Sequence, residues 1–159
     1  MQLEEKLLRL CIQKNISLGF AESCTGGALA ARITRIPGAS KCFVGSVVSY
    51  QNKIKTNLLG VSQKLLMKHG AVSAEVSLAM LKGILQVLSC DLGLAITGFA
   101  GPESGIFDTL VGTVFIALGG ANFKTDLMSL KLDGSREEII QTSVDHAVLA
   151  LIKSVEQYQ

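Results

Sequence analysis

Residues 22–27, Glu-Ser-Cys-Thr-Gly-Gly, follow a short apolar run and precede an Ala/Leu/Ile-rich stretch, so they read as a turn from a strand into a helix. Such a turn sets free backbone N–H groups and the positive end of a helix dipole beside short hydroxyl side chains, which suits an anion or an oxyanion. Ser23 or Thr25 is placed to act as nucleophile or hydrogen-bond donor, and Gly26 and Gly27 let a ligand approach bare backbone. The plainer reading is that Thr25 caps the helix while the glycines pack it on the strand. Cys24 is the weaker nucleophile, because alternation turns it inward if Ser23 faces a ligand.

Three further segments fit that chemistry. Tyr50 to Lys55 stands at the end of a β-branched run, and a lysine whose pKa burial lowers can activate a hydroxyl while a tyrosine relays the proton or orients the pair. Lys53 and Lys55 compete for this role, against a reading in which both are solvated. Gly98 to Gly105 follows an apolar strand at the edge where open α/β sheets place ligands, and its glycines expose amide donors. Arg136, beside a helix start, suits a phosphate, or else is a solvated arginine paired with a glutamate.

Other chemistries find no support. Neither GxGxxG nor GxxxxGK[ST] occurs, and HExxH and GxSxG are missing. A serine–histidine–acid triad would have to use His69 or His146, and the latter lies in a helix beside an apolar stripe. Cys11, Cys24, Cys42 and Cys90 form no CxxC pair and stand at no ligand spacing from a histidine, so no metal site is expected and the thiols read as buried hydrophobes in a reducing cytoplasm. Fifteen Lys and Arg against thirteen Asp and Glu give +2 without a basic stripe, which argues against nucleic acid as partner. No apolar stretch approaches a bilayer span, and the charged first residues exclude a signal peptide, so no membrane partner is expected.

A chain of 159 residues, 48% of them hydrophobic, supports one domain over residues 1–159, and its 16 glycines against 2 prolines call for tight turns or close backbone approaches. Helical periodicity covers about residues 1–14, with Asn15 ending the helix, and residues 16–21 read as a buried strand. A helix follows to about Thr34, stopped by Ile36-Pro37-Gly38; residues 42–51 form a second strand, and two helical pieces flank Gly60. Ser73 caps a helix over 74–89, residues 91–97 form a fully buried strand, and 111–118 with 123–132 form an antiparallel hairpin around residues 119–122. Ser135 and Glu138 fit a capping box that opens the last helix. Four or five helices interleaved with five strands predict a three-layer α/β/α sandwich with a mixed sheet. A homo-oligomer, most simply a dimer, is expected of so small and oily a domain with a hairpin edge.

In this order the segments resemble the CinA C-terminal domain family, whose stand-alone members are nicotinamide-nucleotide amidases. The matching stretches are AESCTGG (21–27), Tyr50-x-Asn52-x-x-Lys55 followed by Leu59-Gly60-Val61, HGAVS (69–73), TGFAGP (97–102), VGTV (111–114) and Gly134-Ser135-Arg136. The resemblance implies hydrolysis of the carboxamide of nicotinamide mononucleotide to nicotinate mononucleotide and ammonia, in pyridine-nucleotide salvage, with no metal and no organic cofactor. It makes Ser23 the nucleophile, Lys55 its base and Tyr50 the group that positions or relays the proton. Thr25, Gly26, Gly27, Asn52, Gly98, Ala100 and Gly101 would hold the oxyanion and ligand, and Arg136 would meet the 5′-phosphate. It favours Lys55 over Lys53 and Ser23 over Cys24.

The sequence departs from the family pattern at three places: the loop reads GPESG over 101–105 instead of carrying two adjacent glycines, Leu110 replaces a common proline, and Ile140 stands where many members carry a second arginine. These touch the substrate loop and the phosphate side. The alternative to the amidase is therefore a non-catalytic nucleotide-binding or regulatory module of the same fold, with an interaction-mediating domain as a third reading.

Overall fold

The computed structural model describes residues 1–102 and 110–159. Five strands form one mixed sheet in the order β2-β1-β3-β4-β5. β1 (Leu18–Glu22) pairs in parallel with β2 (Phe43–Val48) and β3 (Leu92–Gly98), and β4 (Thr113–Gly120) and β5 (Phe123–Lys131) extend the sheet antiparallel from β3. The three-layer α/β/α sandwich with a mixed five-stranded sheet is therefore the observed fold. Six α-helices are present among the described residues, not four or five: α1 (Leu3–Lys14), α2 (Ala28–Thr34), α3 (Asn52–Leu59), α4 (Gln63–His69), α5 (Ala74–Leu88) and α6 (Arg136–Gln157). The pieces on either side of Gly60 each complete their own turns, with Gly60 in the left-handed region closing α3.

The strands alternate large and small residues, and this sorts the two faces. Leu18, Phe20, Leu92, Leu94, Ile96, Val114, Ile116 and Leu118 point into a core shared with α1, α2 and α6. Ala21, Ala95 and Ala117 are paired side by side and face α5, which seats Val76, Met80, Leu81 and Ile84 against them. Small side chains on that face let the helix lie close, where larger ones would hold it off. α5 approaches its other neighbour closely as well: a Cβ on Gly83 would lie 2.0 Å from the Leu59 carbonyl oxygen of α3. Arg32 of α2 pairs with Glu4 of α1 and Asp145 of α6, joining the three helices of the opposite layer.

The sequence signals for element ends largely hold. Asn15 closes α1 at φ 54°, Ser73 caps α5 by accepting from the Val76 N–H, and Ser135 and Glu138 form the capping box of α6. The second strand ends at Val48, short of residue 51, because the chain turns away from β1 after the Ser49 N–H bond to the Glu22 carbonyl oxygen and Gln51 already occupies the N-cap position of α3. No helix of the described residues is long and apolar enough to cross a membrane.

Candidate active site

The parallel strands β1, β2 and β3 all end on the same edge of the sheet, and the segments that follow them meet there. A cavity of about 400 Å³ opens at this edge, lined by Ser23 and Cys24 after β1, Tyr50 and Lys55 after β2, Gly98 to Pro102 at the end of β3, Ala71 and Val72 before α5, and Arg136 at the start of α6. Segments distant in sequence thus converge where open α/β sheets hold ligands.

At its floor Lys55 Nζ lies 2.9 Å from Ser23 Oγ and 2.6 Å from the Ser49 carbonyl oxygen. Lys55 is 1% exposed, and burial lowers its pKa from 10.5 to about 8. Lys53, two residues earlier on α3, is exposed, since two positions on a helix lie about 200° apart. Cys24 also reaches the cavity wall, but burial pushes its thiol up to about 12, so Lys55 faces a hydroxyl and an un-ionised thiol.

The α2 N-terminus corrects an expectation. It does not greet a ligand, because the buried carboxylate of Glu22 fills it: Oε1 accepts from the Leu29 N–H at 2.9 Å and from the Thr25 hydroxyl at 2.8 Å, while Oε2 accepts from the Ala30 N–H at 3.1 Å and from the Ser46 hydroxyl at 2.9 Å. Thr25 is not the cap either. Gly27, at φ 100°, occupies that position, a backbone geometry that L side chains rarely adopt. Sequence reasoning passed over Glu22, though an acidic residue just before a helix start is a signal of this kind.

Thr25, Gly26 and Gly27 therefore stand beside the cavity rather than in its lining, and so does Asn52, exposed at the start of α3. Among the described residues, the N–H groups of Cys24 and Thr25 donate to no protein acceptor. Gly98, Ala100 and Gly101 do line the cavity. Arg136 donates to the Gly101 carbonyl oxygen at 2.6 Å and to the Tyr50 hydroxyl at 2.8 Å, which draws Tyr50 to the cavity mouth, 56% exposed, and leaves its hydroxyl without a bond to Ser23 or Lys55. Thr97 donates to the Ala71 carbonyl oxygen at 2.8 Å and so holds the wall before α5. His69 and His146 are absent from the lining. Ser104 and Gly105 lie outside the described residues; Ile140 is half-buried against the α6-side core.

A small α/β/α domain with a serine–lysine pair buried at the carboxyl edge of its parallel strands is the class that fold and cavity define. The chain belongs to the CinA C-terminal domain family, whose model matches residues 1–155. It is 41% identical over 146 residues to a putative competence-damage inducible protein of Acetivibrio thermocellus, covering 92% of this chain and 35% of that protein. It is 53% identical over 116 residues to a CinA-like protein of Geobacter metallireducens, covering 73% and 28%. The chain thus spans about a third of the length of the curated relatives it matches. Two solved structures share the fold over nearly their full length. The competence damage-inducible protein A of Klebsiella pneumoniae has a TM-score of 0.95 at 32% identity, covering 99% of this chain and 97% of that one. The competence/damage inducible protein CihA of Agrobacterium tumefaciens has a TM-score of 0.89 at 33% identity, covering 99% and 98%.

Proposed function

We propose that this domain hydrolyses the carboxamide of nicotinamide mononucleotide to nicotinate mononucleotide and ammonia, with Ser23 as nucleophile and Lys55 as general base. The observation that carries the reading is the buried Lys55 Nζ at 2.9 Å from Ser23 Oγ, with a pKa lowered to about 8. Burial disfavours the ammonium, and the neutral amine has a lone pair to take the seryl proton.

In this mechanism Ser23 Oγ attacks the amide carbon as its proton passes to Lys55. The Ser49 carbonyl oxygen keeps the amine in place throughout, accepting one of its N–H bonds. The tetrahedral oxyanion is met by the N–H group of Cys24, a residue of the cavity lining whose N–H has no other acceptor among the described residues. Collapse expels ammonia, which carries away the proton held by Lys55, and leaves an acyl ester on Ser23. Lys55, neutral again, takes a proton from water as that water attacks the ester, and returns it to Ser23 Oγ as the carboxylate leaves. Arg136 and the Gly98 to Gly101 backbone hold the substrate at the mouth, with the guanidinium taking the phosphate.

The test is direct. Purified protein incubated with nicotinamide mononucleotide is expected to release ammonia and nicotinate mononucleotide in equal amounts, and Ser23→Ala to release neither. Absence of turnover at high enzyme concentration, or retained turnover by Ser23→Ala, overturns the reading.

A further inference from the structure

We propose that Glu22 is a positioning residue for the nucleophile: its carboxylate locks the turn that carries Ser23, acting through the backbone without touching the reacting atoms. The inference rests on the serine–lysine reading above. Glu22 is fully buried, and both ends of the residue are tied. Its carboxylate collects the N–H groups of Leu29 and Ala30 from α2, the hydroxyl of Thr25 from the turn and the hydroxyl of Ser46 from the neighbouring strand β2. Its carbonyl oxygen accepts from both the N–H and the hydroxyl of Ser49, at 2.8 and 3.2 Å. Ser49 in turn presents its own carbonyl oxygen to Lys55 Nζ. Nucleophile and base are therefore referred to one residue: Ser23 is its chain neighbour, and Lys55 hangs from the group that its carbonyl oxygen holds.

The side chain works at a distance. Alternation along β1 puts Phe20 and Glu22 on the α2 face, so the turn starts with Glu22 pointing away from the cavity and Ser23 into it. The intervening turn contains Gly26 at φ 58° and Gly27 at φ 100°, residues that impose little rigidity of their own. Ser23 keeps its N–H bond to the Ile96 carbonyl oxygen of β3 at 3.0 Å, but without the carboxylate the start of α2 and the Thr25 hydroxyl lose their common anchor, and the turn that sets the direction of Ser23 Oγ loosens. Displacements of about 1 Å at a reacting atom cost about a hundredfold in rate.

The test uses the full chain with Glu22→Gln, Glu22→Asp and, as a control on the same helix, Ile33→Val. Two readouts are taken: kcat and KM on nicotinamide mononucleotide, and the rate at which an aryl sulfonyl fluoride labels Ser23, followed by intact mass. Labelling forms the Ser23 Oγ–S bond and releases fluoride, and it requires no knowledge of the natural substrate. Glu22→Gln keeps the shape but turns an amide N–H toward the Ala30 N–H; it is expected to lower kcat and labelling rate about tenfold or more, with KM within about twofold. The midpoint of its kcat/KM pH profile stays at the wild-type value, since the carboxylate does not touch Lys55. Glu22→Asp recovers part of the rate, and Ile33→Val, which shifts melting temperature without touching the carboxylate, leaves labelling within about twofold of wild type.

A Glu22→Gln protein that labels as fast as Ile33→Val, or whose loss lies in KM alone, overturns the proposal. If Glu22→Gln does not fold, Ser46→Ala removes one of the four donors from outside the turn, and a wild-type labelling rate there overturns it equally. Wild-type protein that labels at Ser23 but leaves nicotinamide mononucleotide intact removes the substrate reading, while the labelling rates still decide the role of Glu22; wild-type protein that does neither removes both.

Discussion

Lys55 Nζ sits between two oxygens of different character, the Ser23 hydroxyl at 2.9 Å and the Ser49 carbonyl at 2.6 Å. The carbonyl only accepts, so one N–H of the amine is committed to it in either protonation state. With the amine neutral, its lone pair is left for the seryl proton; with it protonated, Ser23 Oγ accepts and cannot be deprotonated by this partner. Burial, which lowers the pKa to about 8, brings the competent form into reach near neutrality. The kcat/KM of the wild type is therefore expected to rise with pH through an apparent pKa of about 8 and then to level off. A profile that falls with pH over that range contradicts the assignment of Lys55 as base.

The lowered lysine pKa has a thermodynamic consequence as well. Because the folded-state pKa is depressed below 10.5, the unfolded chain binds more protons than the native one between about pH 8 and 10.5, and stability rises with pH across that window. Below the window both states are protonated and the cost of burying the ammonium is fully present. The stability of wild type minus that of Lys55→Met is expected to increase by about 3 kcal/mol from pH 7 to pH 10.5, since a tenfold change in proton affinity is worth about 1.36 kcal/mol. Urea titrations of both proteins at four pH values give this difference, and a flat line refutes it.

Lys53 and Lys55 provide a paired comparison. Lys55→Met is expected to abolish ammonia release and Lys53→Met to leave it within about twofold of wild type, because Lys53 is exposed on the far side of α3 and touches nothing in the cavity. Equal losses would remove Lys55 from its special place.

How far the site is legible in the sequence follows from these residues. Ser23 follows a strand, Lys55 lies in the helix that follows another, and Arg136 opens a helix marked by a capping box, and these local patterns are enough to bring them forward. The choice between Lys53 and Lys55 is open to spacing alone, which fixes that they point apart but not which side of α3 the sheet edge takes. Ser49 contributes a backbone carbonyl, and every residue has one, so nothing marks it until the chain is folded. The role of Glu22 needs Ser46 of β2 alongside it, a contact between residues 24 apart in sequence that depends on the parallel register of β1 and β2. The layer order is legible because apolar runs and caps are local, and the carboxylate at the α2 N-terminus is local too, since Glu22 reaches residues only three to eight positions on; its bond to Ser46 is the part that only the folded sheet supplies.

Tyr50 separates two roles. Its hydroxyl accepts from Arg136 Nη2 at 2.8 Å and bonds neither Ser23 nor Lys55, so Tyr50→Phe is expected to raise KM by less than about tenfold and to leave kcat near wild type. Arg136→Ala removes the charge itself and is expected to raise KM by about ten- to a hundredfold, the equivalent of about 1.5–3 kcal/mol of charge-assisted hydrogen bonding. Steady-state kinetics on the two variants check this; a collapse of kcat in Tyr50→Phe would instead put the phenol on the proton path.

Gly83 tests the packing that carries Lys55. It lies inside α5, where alanine is the better helix former by about 1 kcal/mol, so helix propensity alone makes Gly83→Ala stabilising. The packing argues the opposite sign: the added Cβ would fall 2.0 Å from the Leu59 carbonyl oxygen and 2.7 Å from its carbon, atoms of the backbone that ends α3. Backbone cannot swing aside as a flexible side chain does, so α3 must shift away from α5, and overpacking of this kind costs about 1–3 kcal/mol. Because Lys55 is on α3, the same shift moves Nζ relative to Ser23 Oγ. Gly83→Ala is thus expected to lower both the urea midpoint and kcat, with KM little changed. A stabilised protein of wild-type kcat would show that α3 and α5 stand further apart than the close contact at Leu59 requires.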